Sequence, residues 1–144
     1  MARYRGTVDS TSSAEATFDY MAEFANITTW DPTVVEAHPL AEGDPVLGSR
    51  FFVRVHWLGR NLPLTYGIVE FDRPRRLVLR AENATSVSED TVEVEPSGQG
   101  ARLVYDARVE LRGAARFLDP LLGLAFRRLG DGATAGLRRQ LGRG

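Results

Sequence analysis

The feature that most constrains this sequence is one long amphipathic helix near its C-terminal end, from Asp119 to Leu141. Asp119 is a favourable N-cap residue, and Pro120 sits where a missing N–H costs nothing. With a period of about 3.6 residues, apolar side chains fall on one face and polar side chains on the other. The apolar face comprises Leu122, Ala125, Phe126, Leu129, Ala133 and Leu137; the polar face comprises Arg127, Asp131, Thr134 and Arg138. At about 1.5 Å per residue the helix is roughly 33 Å long, so it can cross a whole small domain.

Two glycines, Gly132 and Gly136, lie on the apolar face of this helix beside Ala133. A glycine inside a helix costs roughly 1 kcal/mol relative to alanine, so a compensating role is expected. One interpretation is that another backbone approaches the helix closely. The other is that the missing side chains leave room for a ligand.

Composition excludes several classes of function. The 144 residues predict one domain, residues 1–144, that can bury a core without disulfides. The sequence has no cysteine, and all 18 basic residues are arginine, so thiolate, Schiff-base and P-loop chemistry are excluded. Arginines are scattered among acids and the net charge is −1, so no nucleic-acid partner is expected. No stretch has the length and apolarity of a membrane span or a secretory signal, so we expect a cytoplasmic protein without an integral membrane segment.

The rest of the chain predicts strands with two short helices near the start. A first strand at Tyr4–Ser10 is followed by a capping box, Ser12 with Glu15, and a helix to about Phe24. A second short helix or turn should end near Trp30, because Pro32 disfavours helix at Asp31. The later strands are predicted at Val34–Pro39, Arg50–Trp57, Leu62–Phe71, Leu77–Ala81, Ser86–Glu95 and residues 102–112.

The alternation of these strands predicts the fold class. In the last strand Leu103, Tyr105 and Ala107 share one face, while Arg102 and Asp106 share the other. Such alternation, with short turns, is typical of an antiparallel meander with one covered face. The C-terminal helix is the one element large enough to cover it. We therefore predict an α+β fold: a curved antiparallel sheet of about seven strands wrapped around that helix, with two short helices between strands 1 and 2.

Several segments resemble the SRPBCC superfamily, also called START-like or helix-grip, and especially its bacterial polyketide cyclase/dehydrase and lipid-transport branch. The matching segments are Trp30-Asp31-Pro32, Gly43…Gly48, the turn from Glu70 to Leu77, Asp90 in a strand, Gly98-Gln-Gly100, and the small-residue helix from Gly130 to Leu137. The resemblance spans essentially the whole chain. A shared fold does not by itself fix a function.

The resemblance implies a cavity between sheet and helix that holds a hydrophobic or aromatic small molecule, which favours the ligand interpretation of the small residues. Pockets of this kind are concave and mostly apolar, with few polar groups. The residues expected to line it are Trp30, Phe51, Val53, Val55, Trp57, Leu79, Val92, Ala107, Leu122, Leu129, Ala133 and Gly136.

Candidate catalytic residues are few. The sequence contains no Gly-x-Ser-x-Gly motif, and its two histidines, His38 and His56, lie on different strands, so neither a hydrolase nor a metal site is predicted. If the protein is an enzyme, tyrosine and arginine must supply the polar groups. Tyr105 is the first candidate as an inward hydrogen-bond donor, followed by Tyr66 and Arg54. Alternation with Glu70 suggests an outward Tyr66, and Arg54 faces solvent unless a bulge redirects it.

Three functions remain open at this point. The protein is a carrier or sensor of a lipid- or polyketide-like molecule, a cyclase, aromatase or dehydratase that needs no cofactor, or an auxiliary domain that docks on a partner protein. The number of titratable groups facing the cavity separates the first two. No motif specifies the ligand or an oligomeric state.

Overall fold

The computed structural model describes residues 2–57 and 59–142, which form seven strands and three α-helices. In chain order the elements are β1 (Ala2–Ser10), α1 (Ala14–Ala22), a 3₁₀ helix (Phe24–Asn26), α2 (Ile27–Trp30), β2 (Val34–Pro39), β3 (Arg50–Trp57), β4 (Arg60–Asp72), β5 (Arg76–Glu82), β6 (Ser86–Ser97), β7 (Gly100–Leu111), a second 3₁₀ helix (Gly113–Leu118) and α3 (Asp119–Leu141).

The strands form one curved antiparallel sheet in the order β1-β7-β6-β5-β4-β3-β2. Consecutive strands from β2 to β7 are neighbours, as short turns require. The first strand pairs with the last, so β1 and β2 lie at opposite edges, and α1 and α2 carry the chain between them. Helix α3 packs against the sheet. The predicted α+β class, strand number and helix placement are confirmed.

Two helix starts differ by one residue from the sequence prediction. The N-cap of α1 is Ser13, whose Oγ accepts a hydrogen bond from the Ala16 amide at 3.1 Å; Ser12 instead donates its amide to Ser10 Oγ. Helix α3 includes Asp119, and Leu118 takes its N-cap position. Thr134, predicted on the polar face, is only 1% exposed, because this turn of α3 lies against Gly6 of β1.

The glycines of α3 mark a close approach of two backbones. A Cβ atom on Gly136 would stand 1.8 Å from the carbonyl oxygen of Trp30, and one on Gly132 would stand 3.2 Å from Pro32 Cγ. Both contacts come from the Trp30 segment, residues 30–32, at the end of α2 and just after it, so the two glycines seat that segment against α3. The suggestion that Gly136 leaves room for a ligand is therefore corrected: backbone occupies that space.

A bulge in β4 reverses the direction suggested for Tyr66. The pairing of β4 with β5 shifts register between Ile68 and Glu70, and both Val69 and Glu70 are exposed. The extra residue changes the parity of the strand, so Glu70 points outward while Tyr66 and Ile68 point inward. Tyr66 is buried in the core.

Aromatic side chains fill one part of the space between sheet and helices. Phe18 of α1 meets Phe71 edge-on, with ring centroids 5.4 Å apart, and Phe24 contacts Tyr66 at 5.0 Å and Phe51 at 6.2 Å. Leu79 and Val92 are fully buried in the same cluster. This packed region fixes α1 and α2, and it leaves the space beneath the first half of α3 for the site.

The outer surface around the start of α3 is unusually apolar. Phe117 is 88% exposed, and Leu118, Leu121 and Leu124 are also exposed. Soluble monomeric proteins rarely expose large contiguous apolar patches. Within the described residues, no helix is both long and apolar enough to cross a membrane.

Candidate functional site

A cavity of about 510 Å³ lies between the sheet and the first half of α3. This volume is in the range of small-molecule sites. Each strand from β3 to β7, or the loop beside it, contributes to its wall, and α3 forms its roof. Its apolar lining is Ile27, Val34, Val53, Val55, Trp57, Leu62, Pro63, Leu64, Ala107, Val109, Leu111, Leu122, Phe126, Leu129, Gly130 and Ala133.

The more buried of the two carboxyl groups in the lining is that of Asp90 in β6, which is 5% exposed. Alternation along β6 points Asp90 inward with Ser88 and Val92. The hydroxyl of Tyr105 donates a hydrogen bond to Asp90 Oδ2 at 3.2 Å. The Tyr105 ring is held edge-on against Trp30, with centroids 5.4 Å apart. Core packing thus fixes both partners of this hydrogen bond.

Tyr66 and Asp31 complete a polar wall, defined by Asp31, Tyr66, Asp90 and Tyr105, which all line the cavity. Asp31 follows α2 directly, and its Oδ1 accepts hydrogen bonds from the Thr33 amide at 2.9 Å and from the Thr33 hydroxyl at 2.7 Å. This local turn fixes the Asp31 carboxylate within the segment that is seated on α3.

Burial changes the proton affinity of the whole polar wall. It raises the pKa of Asp90 to about 7; the Tyr105 hydrogen bond opposes this rise, and the nearby Asp31 and Asp106 charges add to it. Burial also raises the pKa of Asp31, against the two Thr33 hydrogen bonds. The pKa values of Tyr66 and Tyr105 are raised well above 10, first by burial and then by the Asp90 charge. Near neutral pH both phenols of the polar wall are therefore protonated, with the Tyr105 hydroxyl bonded to Asp90, and the Asp90 carboxyl group can gain or lose a proton.

The family model described as polyketide cyclase / dehydrase and lipid transport matches residues 1–142. The chain belongs to this family. No curated protein sequence matches the chain.

Several solved structures share the fold of this chain although their sequence identity to it is low. The Zhui aromatase/cyclase from Streptomyces sp. R1128 superposes with a TM-score of 0.78 at 14% identity, covering 98% of this chain and 93% of its own. A START superfamily protein from Mycobacterium smegmatis has a TM-score of 0.75 at 16% identity, with 99% of each chain covered. The TTHA0849 protein from Thermus thermophilus has a TM-score of 0.77 at 15% identity, covering 99% and 97%. At these identities the comparisons show a common fold alone.

The cavity brings together many, but not all, of the residues that the sequence singled out. Those that line it are Val53, Val55, Trp57, Tyr66, Tyr105, Ala107, Leu122, Leu129 and Ala133. Trp30, Phe51, Leu79, Val92 and Gly136 lie outside the lining. The first four are buried in the packed aromatic region, and Gly136 is closed off by the Trp30 carbonyl.

Arg54 lies on the face of β3 that points away from the cavity. Its guanidinium pairs with Glu36 of β2 and stands over the Phe52 ring, 5.3 Å from the centroid. His56 is on the same face and contacts Asn61 Oδ1 at 2.8 Å. The β3 strand keeps its alternation here, so no bulge redirects Arg54 toward a ligand.

Sequence reasoning did not select Asp31 and Asp90 as site residues. The sequence did carry a signal for Asp90, because it alternates in step with Ser88 and Val92, the neighbouring buried positions of β6. In the described part of the chain, no three His, Asp or Glu side chains cluster in a way that could hold a metal ion.

Proposed function

We propose that the protein binds a hydrophobic or aromatic small molecule, lipid- or polyketide-like, in this cavity and acts as a carrier or sensor. The observation that carries the proposal is the cavity itself, about 510 Å³ with apolar walls and one polar wall. Interiors are normally filled to near crystal density, so an unfilled space of this size calls for an occupant. Membership of a family described by cyclisation, dehydration and lipid transport supports it.

Filling the cavity tests this proposal. Ala133 is buried and lines the cavity, so Ala133→Phe should place its ring in open space. We expect fluorescence titration to show at least about a tenfold loss of 9-anthracenemethanol affinity, or about 1.4 kcal/mol. The melting temperature should stay near wild type.

The matched control is Gln140→Phe, which adds the same ring at an exposed position of α3 and should retain binding. A large drop in melting temperature for Ala133→Phe would instead indicate a tightly packed core, since overpacking costs about 1–3 kcal/mol. Unchanged uptake by this variant would place the ligand elsewhere.

The second candidate function is acid–base catalysis without a cofactor, as in cyclisation or dehydration. The specific observation in its favour is the Tyr105–Asp90 hydrogen bond at a carboxyl group whose pKa is about 7. Such a group can take a proton from a carbon next to a carbonyl, while a phenol donates to the developing enolate oxygen. Tyr66 and Tyr105 are the phenols of the polar wall, while the third phenol of the lining, Tyr4, donates its hydroxyl to Asp131 Oδ1 at 3.2 Å. Arg54 has no part in this scheme.

Deuterium exchange at the carbon next to the carbonyl of 2-tetralone, followed by NMR in D₂O, distinguishes the two candidates. Catalysis predicts exchange that is about 10²–10⁴-fold faster than in buffer and is lost in Asp90→Asn. Tyr66→Phe should then slow exchange by removing the enolate donor, and Tyr105→Phe by removing the hydrogen bond that holds Asp90. Binding of 2-tetralone without faster exchange would leave the carrier or sensor function.

A further inference from the structure

The polar wall of the cavity carries hydrogen-bond acceptors that the protein leaves free. Asp90 Oδ2 accepts from Tyr105, and Asp31 Oδ1 accepts twice from Thr33. In the described residues, neither Asp90 Oδ1 nor Asp31 Oδ2 receives a hydrogen bond from a side chain. Asp90 is 5% exposed and lines the cavity. Neither oxygen is closed off by protein atoms, and both residues line the cavity, so a hydrogen-bond donor of a ligand can reach them.

The charged side chains that line the cavity are all acidic. Its described lining contains two carboxyl groups and no arginine or histidine, and the chain has no lysine. The charged groups that raise the pKa of Asp90 are acidic: Asp31 after α2, and Asp106 and Glu89 on the outer face of the sheet. The groups of β4 and β7 that face it are the phenols Tyr66 and Tyr105, and α3 contributes no titratable group to the lining.

We propose that the cavity selects an apolar or aromatic molecule whose polar end is a hydrogen-bond donor, above all a protonated amine, and disfavours carboxylic acids. This inference rests on the proposed binding function and specifies its ligand class. An ammonium group placed between Asp31 and Asp90 gains charge-assisted hydrogen bonds. A hydroxyl group can donate to a carboxylate and accept from Tyr66. A carboxylate would meet like charge in a site of low dielectric.

Three probes of equal ring size test the selection: 9-(aminomethyl)anthracene, 9-anthracenemethanol and 9-anthracenecarboxylic acid, each titrated by fluorescence at about pH 8, where the amine is a cation and the acid an anion. We expect affinity to fall in the order amine, alcohol, acid, with at least about tenfold between amine and acid. Raising the pH from about 6 to 8 should strengthen amine binding as Asp90 ionises.

Asp90→Asn and Asp31→Asn should each narrow the gap between amine and acid by severalfold, because each removes one negative charge without changing the size of the side chain. Glu89→Gln is the matched control: it makes the same kind of change on the outer face of β6, one residue away, and should keep the order.

The outcomes separate the two proposals. If the three probes bind wild type and the acid binds as tightly as the amine, the selection is wrong and the binding function stands. The selection is also wrong if the gap in affinity between amine and acid is as large in both aspartate variants as in wild type. If none of the three binds, the binding function fails and the selection fails with it.

Discussion

Gly136→Ala is expected to destabilise the protein by about 3 kcal/mol or more, at the upper end of the cost of overpacking. The added methyl would stand 1.8 Å from the carbonyl oxygen of Trp30, and the neighbouring atoms are also backbone, so no flexible side chain can move aside. For a chain of this length we expect a fall in melting temperature of roughly 10 °C, measured by circular dichroism. Because Trp30 also holds the Tyr105 ring, the variant should lose probe binding as well.

Gly123→Ala is the matched control in the same helix. A Cβ atom there meets no heavy atom within 4 Å, so the substitution should stabilise α3 by about 1 kcal/mol through helix propensity. Opposite signs for the two variants support the close approach of the Trp30 segment to α3. A neutral or stabilising Gly136→Ala would show that the two backbones are farther apart.

Asp90→Asn is expected to remove a pH dependence of stability. The folded state raises the pKa of Asp90 from 3.8 to about 7, so between these values the folded protein holds a proton that the unfolded chain has released. The contribution of Asp90 to the free energy of unfolding is therefore greatest below about pH 4, and it falls as the pH rises to about 7. At about 1.4 kcal/mol per tenfold change in proton affinity, the loss is up to about 4 kcal/mol.

Urea unfolding of both proteins between about pH 5 and 8 measures this effect. Wild type should lose stability across the window relative to Asp90→Asn, because groups distant from Asp90 titrate alike in both proteins and cancel in the difference. The variant should be the more stable protein at the alkaline end. Parallel curves would show that Asp90 is ionised throughout and its carboxylate is well solvated.

Alternation in the sequence was sufficient to predict which side chains point inward where the strands are regular. Along β7 the period of two places Tyr105 and Ala107 inward, and the cross-strand pairing with β1 and β6 is unbroken over this stretch. In β4 the same reasoning misplaced Tyr66, because one bulged residue reverses parity and both faces of the strand are apolar. A bulge in such a strand leaves no mark in its hydrophobic pattern.

The α3 glycines illustrate a second limit. Helical periodicity places Gly132, Ala133 and Gly136 near one another on α3, but their roles depend on where the Trp30 segment at the end of α2 crosses the helix. That crossing closes the space at Gly136 and leaves Ala133 on the cavity. Asp90 shows a third limit: its parity is readable, but the Tyr105 partner that makes burial tolerable comes from the next strand.

The central claim is that the space between the sheet and α3 is a ligand cavity, and intermolecular NOEs test it most directly. With ¹³C-labelled protein and 9-anthracenemethanol, we predict NOEs from the anthracene protons to the methyl groups of Val53, Ala107 and Ala133, which line the cavity. NOEs confined to the exposed side chains of Leu121 and Leu124 would place the molecule on the outer surface of α3 and contradict the claim.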